Sequence, residues 1–241
     1  NAGPVFQSAA VDTSGFKLTM TYSEAINSLT APTSAFVVKN GSATISVTAV
    51  TVNGSTIELT LASPIGAGLT ASVAYNAPAA NSSASNSAIQ DALGNDSLTL
   101  ATTNISSGNN QSTVDQTAPT ITSATTNTAG DSITITLSEA LSTTTASAGT
   151  FTVSNPGTPT YPVTVTGIAL DSDPTRLVLT LSGPVGAGKA VTFSYAAPAS
   201  NTSTSNSAVQ DLAGNDLAGV TNRSITNIST ADQSSPTSTG L

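Results

Sequence analysis

The sequence predicts an all-β chain made of two tandem antiparallel β-sandwiches, and three observations predict it. The chain repeats itself: Asn86-Ser87-Ala88-Ile89-Gln90-Asp91 with Gly94-Asn95-Asp96 returns as Asn206-Ser207-Ala208-Val209-Gln210-Asp211 with Gly214-Asn215-Asp216. Ser23-Glu24-Ala25 returns as Ser138-Glu139-Ala140, and Pro64-Ile65-Gly66-Ala67-Gly68 as Pro184-Val185-Gly186-Ala187-Gly188. Duplication on this scale marks a tandem array of domains. Apolar residues recur at every second position, the period of a half-buried strand, and no long segment keeps a 3.6-residue apolar stripe. Finally, 241 residues suit two ordinary domains, each long enough to bury one sandwich core without staples. The expected division is 1–115 and 116–232, with 233–241 a tail that opens a further repeat or docks on a neighbour.

Taken in order, Phe16, Leu18, Met20 and Tyr22 alternate with Lys17, Thr19 and Thr21, and Ile133, Ile135 and Leu137 answer them in the second half. Ile57, Leu59 and Leu61 match Leu177, Leu179 and Leu181, and Val73 with Tyr75 match Phe193 with Tyr195. Gly/Pro/Asn turns separate these runs, as in an antiparallel sandwich. Asn40-Gly41 and Asn53-Gly54 between alternating runs read as hairpins with type I′ turns, where both central residues need positive φ. Length changes between the halves fall at those two places: Asn40-Gly41 becomes Asn155-Pro156-Gly157-Thr158-Pro159-Thr160, and Asn53-Gly54-Ser55 becomes Asp171-Ser172-Asp173-Pro174-Thr175. Solvated loop tips absorb insertions without disturbing a core. The segments Leu98 to Asp115 and Thr221 to Asp232 read as strand-like and low in charge. Val114-Asp115-Gln116-Thr117-Ala118-Pro119 reads as a short, stiff junction, and Ala231-Asp232-Gln233-Ser234-Ser235-Pro236 repeats it.

Composition narrows the function classes. Cysteine is absent, so neither disulfides nor thiol chemistry are available. Histidine is absent too, which removes the usual general base and makes a Ser-His-Asp arrangement impossible. Lys17 and Lys189 sit at or beside expected strands without a nucleophile motif. Gly66-Ala67-Gly68 and Gly186-Ala187-Gly188 are tight turns, not phosphate loops, because neither leads from a strand into a helix. Charged residues are 7% of the chain and the net charge is −8, with its few cations scattered; this argues against nucleic acid or an anionic membrane as partner. No apolar run is long enough to span a bilayer as a helix, and Asn1-Ala2-Gly3-Pro4 carries no signal-peptide pattern. The expectation is an exported, extracellular or cell-surface product, mature or a fragment, and not an enzyme.

Ser-Glu-Ala, Phe-x-Val (Phe36-Val37-Val38; Phe151-Thr152-Val153), the Gly-x-Gly loop and the Gln-Asp-x-x-Gly-Asn-Asp terminus occur in the same order twice. In these motifs the chain resembles the SWM repeat, the putative flagellar system-associated repeat, over roughly residues 16 to 100 and 131 to 220. The resemblance implies an Ig-like sandwich found in tandem in large bacterial cell-surface proteins, with no enzyme activity; motility itself does not transfer to two repeats.

The carboxylates are the candidate site. Glu24, Asp91 and Asp96 recur as Glu139, Asp211 and Asp216, and Asp115 recurs as Asp232. With Asn95 and Asn215 they offer the oxygen ligands that Ca2+ takes in sets of six to eight, and an ion at Asp115 would stiffen the junction. The same residues can instead cap loops as Asx-turns, with the Glu of Ser-Glu-Ala capping likewise. Nine Asn-x-Ser/Thr sequons (Asn40, Asn53, Asn81, Asn95, Asn104, Asn110, Asn201, Asn222, Asn227) are what an Asn-, Ser- and Thr-rich chain generates by chance. Threonine rows such as Thr122, Thr125 and Thr126 reflect strand preference. The expected function is a non-catalytic spacer array or self-assembling filament or surface-layer subunit, with strand addition between copies through the terminal segments. The alternative is a calcium-dependent adhesin for a glycan or another cell surface, disfavoured by an aromatic content of 4% and the lack of tryptophan.

Overall fold

The computed structural model describes residues 2–28, 31–79, 87–143, 146–156, 162–199 and 207–233. The chain divides into two compact units, Asn1–Gln116 and Thr117–Leu241, and strands with a few 3₁₀ turns supply the regular structure among the described residues.

Unit 1 runs β1 (Phe6–Val11), β2 (Lys17–Tyr22), β3 (Phe36–Asn40), β4 (Ala43–Ile45), β5 (Val47–Asn53), β6 (Thr56–Leu61), β7 (Ala71–Tyr75) and β8 (Leu100–Asn104). One antiparallel sheet has the order β1-β2-β6-β5 and the other β4-β3-β7-β8. Alternation explains the pairing: Leu18 and Met20 of β2 face the core and lie beside Leu59 and Ile57 of β6, while Lys17, Thr19 and Thr21 point outward. Val38, Val73 and Tyr75 close the core from the second sheet, with Ile65 and Ile89 from the loops. Phe16 departs from the expected row. It precedes β2 on the hairpin after Gly15 and is 42% exposed, because the strand begins only at Lys17.

Unit 2 repeats the plan with β9 (Ile121–Thr126), β10 (Ser132–Leu137), β11 (Phe151–Ser154), β12 (Val165–Leu170), β13 (Arg176–Leu181), β14 (Thr192–Tyr195) and β15 (Val220–Ser224). Among the described residues its sheets are β12-β13-β10-β9 and β11-β14-β15, two antiparallel layers as in an immunoglobulin-like sandwich. Ile133, Ile135, Leu177, Leu179 and Phe193 form its core.

The hairpins correct one expectation. Asn40 pairs with Ala43 and Asn53 with Thr56, so the central residues are Gly41-Ser42 and Gly54-Ser55. Only the glycines have positive φ, 60° in each case. That is the demand of a type II′ turn, with glycine at the first central position, and not of the type I′ turn expected from Asn-Gly.

The terminal segments correct another. After β8 the chain makes a 3₁₀ turn at Ser107–Asn109 and then runs beside β1. Gln111 N–H donates to Val11 O, Thr113 N–H to Thr13 O, and Ala67 N–H to Val114 O. The stretch after β15 repeats this: Thr226 N–H donates to Ala124 O, Thr230 N–H to Thr128 O, and Ala187 N–H to Ala231 O. Through Ala231, both segments are straps that bond within their own sandwich and are not free strands for a neighbour. The expected tail beyond Gln233 lies outside the described residues.

A buried tyrosine joins sheet to loop in each unit. The Tyr75 hydroxyl accepts from the Ile89 N–H and the Tyr195 hydroxyl from the Val209 N–H, each at 2.9 Å. Burial raises both phenol pKa values, so the hydroxyls stay neutral. Tyr75→Phe leaves a buried N–H without its acceptor and is expected to destabilise unit 1 by about 1–3 kcal/mol. A urea titration checks this, and an unchanged midpoint would show the bond to be immaterial.

Candidate functional site

The duplicated Gln-Asp-x-x-Gly-Asn-Asp string forms one tight loop per unit. In unit 1, Asp91 Oδ1 accepts from the N–H of Leu93 (2.8 Å) and of Asn95 (2.9 Å), and Oδ2 accepts from Asn95 Nδ2 (2.6 Å). The Asp91 N–H donates to Asn95 O, Gly94 takes φ 84°, and Gln90 bridges Asp96 in antiparallel fashion. Unit 2 copies the geometry. Asp211 Oδ1 accepts from Ala213 N–H (2.8 Å) and Asn215 N–H (2.9 Å), Oδ2 accepts from Asn215 Nδ2 (2.8 Å), and Gly214 sits at φ 90°. These are Asx-turns closed by an Asn amide. Both aspartates are buried, and each has its carboxylate hydrogen-bonded by the loop it organises.

Hydrogen bonds from the Asn95 side chain and backbone, reinforced by Leu93 and Gly94, hold the Asp91 carboxyl below the usual carboxylate range. A depressed folded-state pKa contributes stability at neutral pH that disappears as pH falls through the folded value. Stability gained from this loop is therefore expected to be intact at pH 7 and lost below about pH 4. The difference in urea midpoint between the wild type and Asp91→Asn should narrow on acidification; a constant difference from pH 7 to pH 3 would refute it.

The remaining candidate carboxylates fall into three places. Glu24 and Glu139 lie half-buried after β2 and β10, and the serine before each caps a backbone amide: Ser23 Oγ accepts from Val5 N–H and Ser138 Oγ from Thr120 N–H, both at 3.0 Å. Asp96 and Asp216 close their loops next to the Gln90 and Gln210 bridges. Asp115 and Asp232 are exposed near the ends of the straps. Within unit 2, Leu141 bridges Asp211, which draws β10's end toward the loop, and carboxylate oxygens of Glu139 and Asp211 lie within 4.8 Å of each other. Two carboxylates at that separation can seat part of a hard cation's oxygen shell, with carbonyls and water to complete it.

Sequence reasoning missed the residues that lock the straps. Gln116 Oε1 accepts from Asn40 Nδ2 (2.6 Å) while Gln116 Nε2 donates to Pro64 O (3.1 Å). Gln233 repeats this with Asn155 Nδ2 (3.1 Å) and Pro184 O (2.5 Å). Asn110 Nδ2 donates to Gly66 O and Leu69 O, as Asn227 Nδ2 does to Gly186 O and Lys189 O. Ser112 and Ser229 donate to Ile65 O and Val185 O. The Pro-x-Gly-Ala-Gly loop is thus the receptor for the strap. Recurrence of Asn110/Asn227, Ser112/Ser229 and Gln116/Gln233 was the available signal. Among the sequons, Asn40, Asn95, Asn110 and Asn227 have side chains committed to these bonds, and Asn81 and Asn201 lie outside the described residues.

A family model described as the putative flagellar system-associated repeat, the SWM repeat, matches residues 1–80 and 114–200. No curated protein matches the sequence. Among solved structures, the N-terminal part of the bacterial S-layer protein SbsC is 16% identical with a TM-score of 0.34, over 78% of this chain and 43% of that one. The S-layer protein rSbsC(31-844) is 14% identical with a TM-score of 0.34, over 80% of this chain and 32% of that one. The chain therefore spans less than half the length of either structure.

Proposed function

Because this chain belongs to the SWM repeat family, we propose that it is a non-catalytic structural module of a bacterial cell surface which associates with further copies of itself. The observation that carries the reading is how the polar side chains are used. Asp91, Asn95, Tyr75, Asn40, Ser112 and Gln116, with their unit 2 counterparts, hold each sandwich together. Chemistry-bearing residue types thus serve architecture, twice over, in a chain without histidine or cysteine. Electron microscopy together with sedimentation of the purified protein tests this. Fibres, sheets or concentration-dependent oligomers are expected; monomers at every concentration, with and without calcium, would overturn it.

Calcium is a second reading, favoured by the approach of the Glu139 and Asp211 carboxylates. Each unit would hold its own ion: Glu139, Asp211, Asn215 and Asp216, with Asp232, are the proposed ligands in unit 2, and the matching Glu24, Asp91, Asn95 and Asp96, with Asp115, those in unit 1. Ca2+ is expected to raise the melting midpoint of the wild type and to lose that effect in Glu139→Gln. No shift on adding chelator would remove the ion. Glycan recognition draws little support from the described aromatic residues: Tyr22, Tyr75, Tyr195, Phe36, Phe151 and Phe193 are buried, and Phe16 is the exposed one among those described.

A further inference from the structure

We infer that β5 and β12 are the edges through which copies of this chain join, each pairing antiparallel with the same strand of a second copy, about Thr51 and about Ala169. The inference rests on the self-association proposed above and names its interface.

Each strand is the last in its sheet, bonded on one side only, β5 to β6 and β12 to β13. The opposite edges differ. β1 is followed by the strap through the parallel bridge of Val11 with Asn110, and β9 through that of Thr125 with Thr226. Soluble sandwiches discourage open edges with lysine, proline, inward charge or bulges. Val47–Asn53 (VTAVTVN) and Val165–Leu170 (VTGIAL) contain no charge and no proline. One guard is present in both, a bulge between Val47 and Ala49 and between Val165 and Gly167. The hydroxyls of Thr48 and Thr166 fasten it by donating to Thr60 O and Thr180 O, each at 3.2 Å. The bulge covers only the start of each edge, and the rest is regular.

Register identifies the groups left over. Leu61 N–H donates to Phe16 O, so Leu61, Leu59 and Ile57 address β2 while Thr60, Glu58 and Thr56 address β5. Their partners Ala49, Thr51 and Asn53 therefore point backbone groups inward, and Val50 and Val52 point theirs to the open edge. In unit 2, Asp171 N–H donates to Arg176 O, and the same alternation leaves Ile168 and Leu170 facing out. Among the described residues, none bonds these four N–H or C=O groups. The side chains agree with the backbone. Val47, Val50 and Val52, and Val165, Ile168 and Leu170, pack on their cores yet stay half-buried, so each apolar row stops short at the edge.

A second copy satisfies both needs. Antiparallel pairing with Thr51 opposite Thr51 sets Val50 against Val52 of the copy, so both outward amides and both outward carbonyls find partners. The half-buried valines then meet across the seam. Centring on Ala169 does the same for Ile168 and Leu170. Other symmetric centres run into the bulge, into Gly54 after β5, or past the end of β12 at Leu170. An isologous edge by itself closes into a dimer; two such edges on one chain make it divalent and permit open arrays.

The absence of cysteine makes the test direct. Thr51→Cys and Ala169→Cys should each give a disulfide dimer under mild oxidation, because the central pair of such a seam is non-hydrogen-bonded and brings Cβ atoms close. The double variant should give polymers. Thr51→Lys with Ala169→Lys, both at exposed positions, should abolish species larger than monomer in sedimentation while leaving the circular dichroism and melting midpoint of the wild type. Oligomers that survive the lysine pair, or that form in the cysteine variants without cross-linking through the introduced thiols, would overturn the interface and leave self-association standing. A wild type that never exceeds monomer would overturn both.

Discussion

Gly130→Ala is expected to destabilise unit 2 by on the order of 3 kcal/mol, and Gly15→Ala to do the same to unit 1. Both glycines close the hairpin between the first two strands of their unit, at φ 76° and 72°. That left-handed conformation alone costs an alanine about 1–2 kcal/mol. A Cβ at Gly130 would also stand 2.6 Å from Val185 O and against Ser229 Oγ, and one at Gly15 would stand 2.5 Å from Ile65 O and 2.9 Å from Ser112 Oγ. Neither neighbour can yield cheaply. Ser112 Oγ donates to Ile65 O at 2.6 Å and Ile65 N–H donates to Gly15 O at 2.9 Å, so hairpin, receptor loop and strap meet at one glycine. Urea denaturation followed by circular dichroism, with hydrogen exchange to locate the loss, measures the effect. A change below about 1 kcal/mol would mean that the strap is not seated as described.

The same meeting point shows what could be read from the sequence. Strands β2, β6, β10 and β13 were legible because each sits inside a sheet with one face on the core, and the two-residue period follows directly: Leu18, Met20, Ile57 and Leu59 in, threonines and charges out. β1, β9 and β5 were not, because edge strands built from Ser, Ala, Thr and Val bury one side only partly, and their pattern fades toward a loop's. The straps were misjudged for a related reason. Their threonines look like a free strand, yet their bonds reach groups far away in sequence, such as Ser112 to Ile65. In the candidate site, the pairing of Asp91 with Asn95 was visible in the spacing, as an Asx-turn or an ion ligand. Choosing between these needs the positions of the Leu93 and Asn95 amides, which spacing does not supply.

Leu59→Ala and Leu179→Ala should each cost about 2–5 kcal/mol, since both side chains are wholly buried and alanine leaves a cavity that the surrounding strands fill only in part. The two leucines hold equivalent places. Leu59 stands between Leu18 of β2 and Val50 of β5, and Leu179 between Ile133 of β10 and Ile168 of β12. Each row runs from the centre of the sheet to the open edge, so the cavity adjoins the strand proposed to join copies. A loss of about 2–5 kcal/mol is a large part of the roughly 5–15 kcal/mol that stabilises an ordinary domain, and it should loosen the edge before the unit melts. Leu59→Ala is therefore expected to lower the urea midpoint and also to weaken association at temperatures where the unit is still folded. Thr51→Lys with Ala169→Lys removes association alone. Sedimentation beside the denaturation curve separates these outcomes. If Leu59→Ala lowers the midpoint yet associates as tightly as the wild type, the core row and the edge are not coupled.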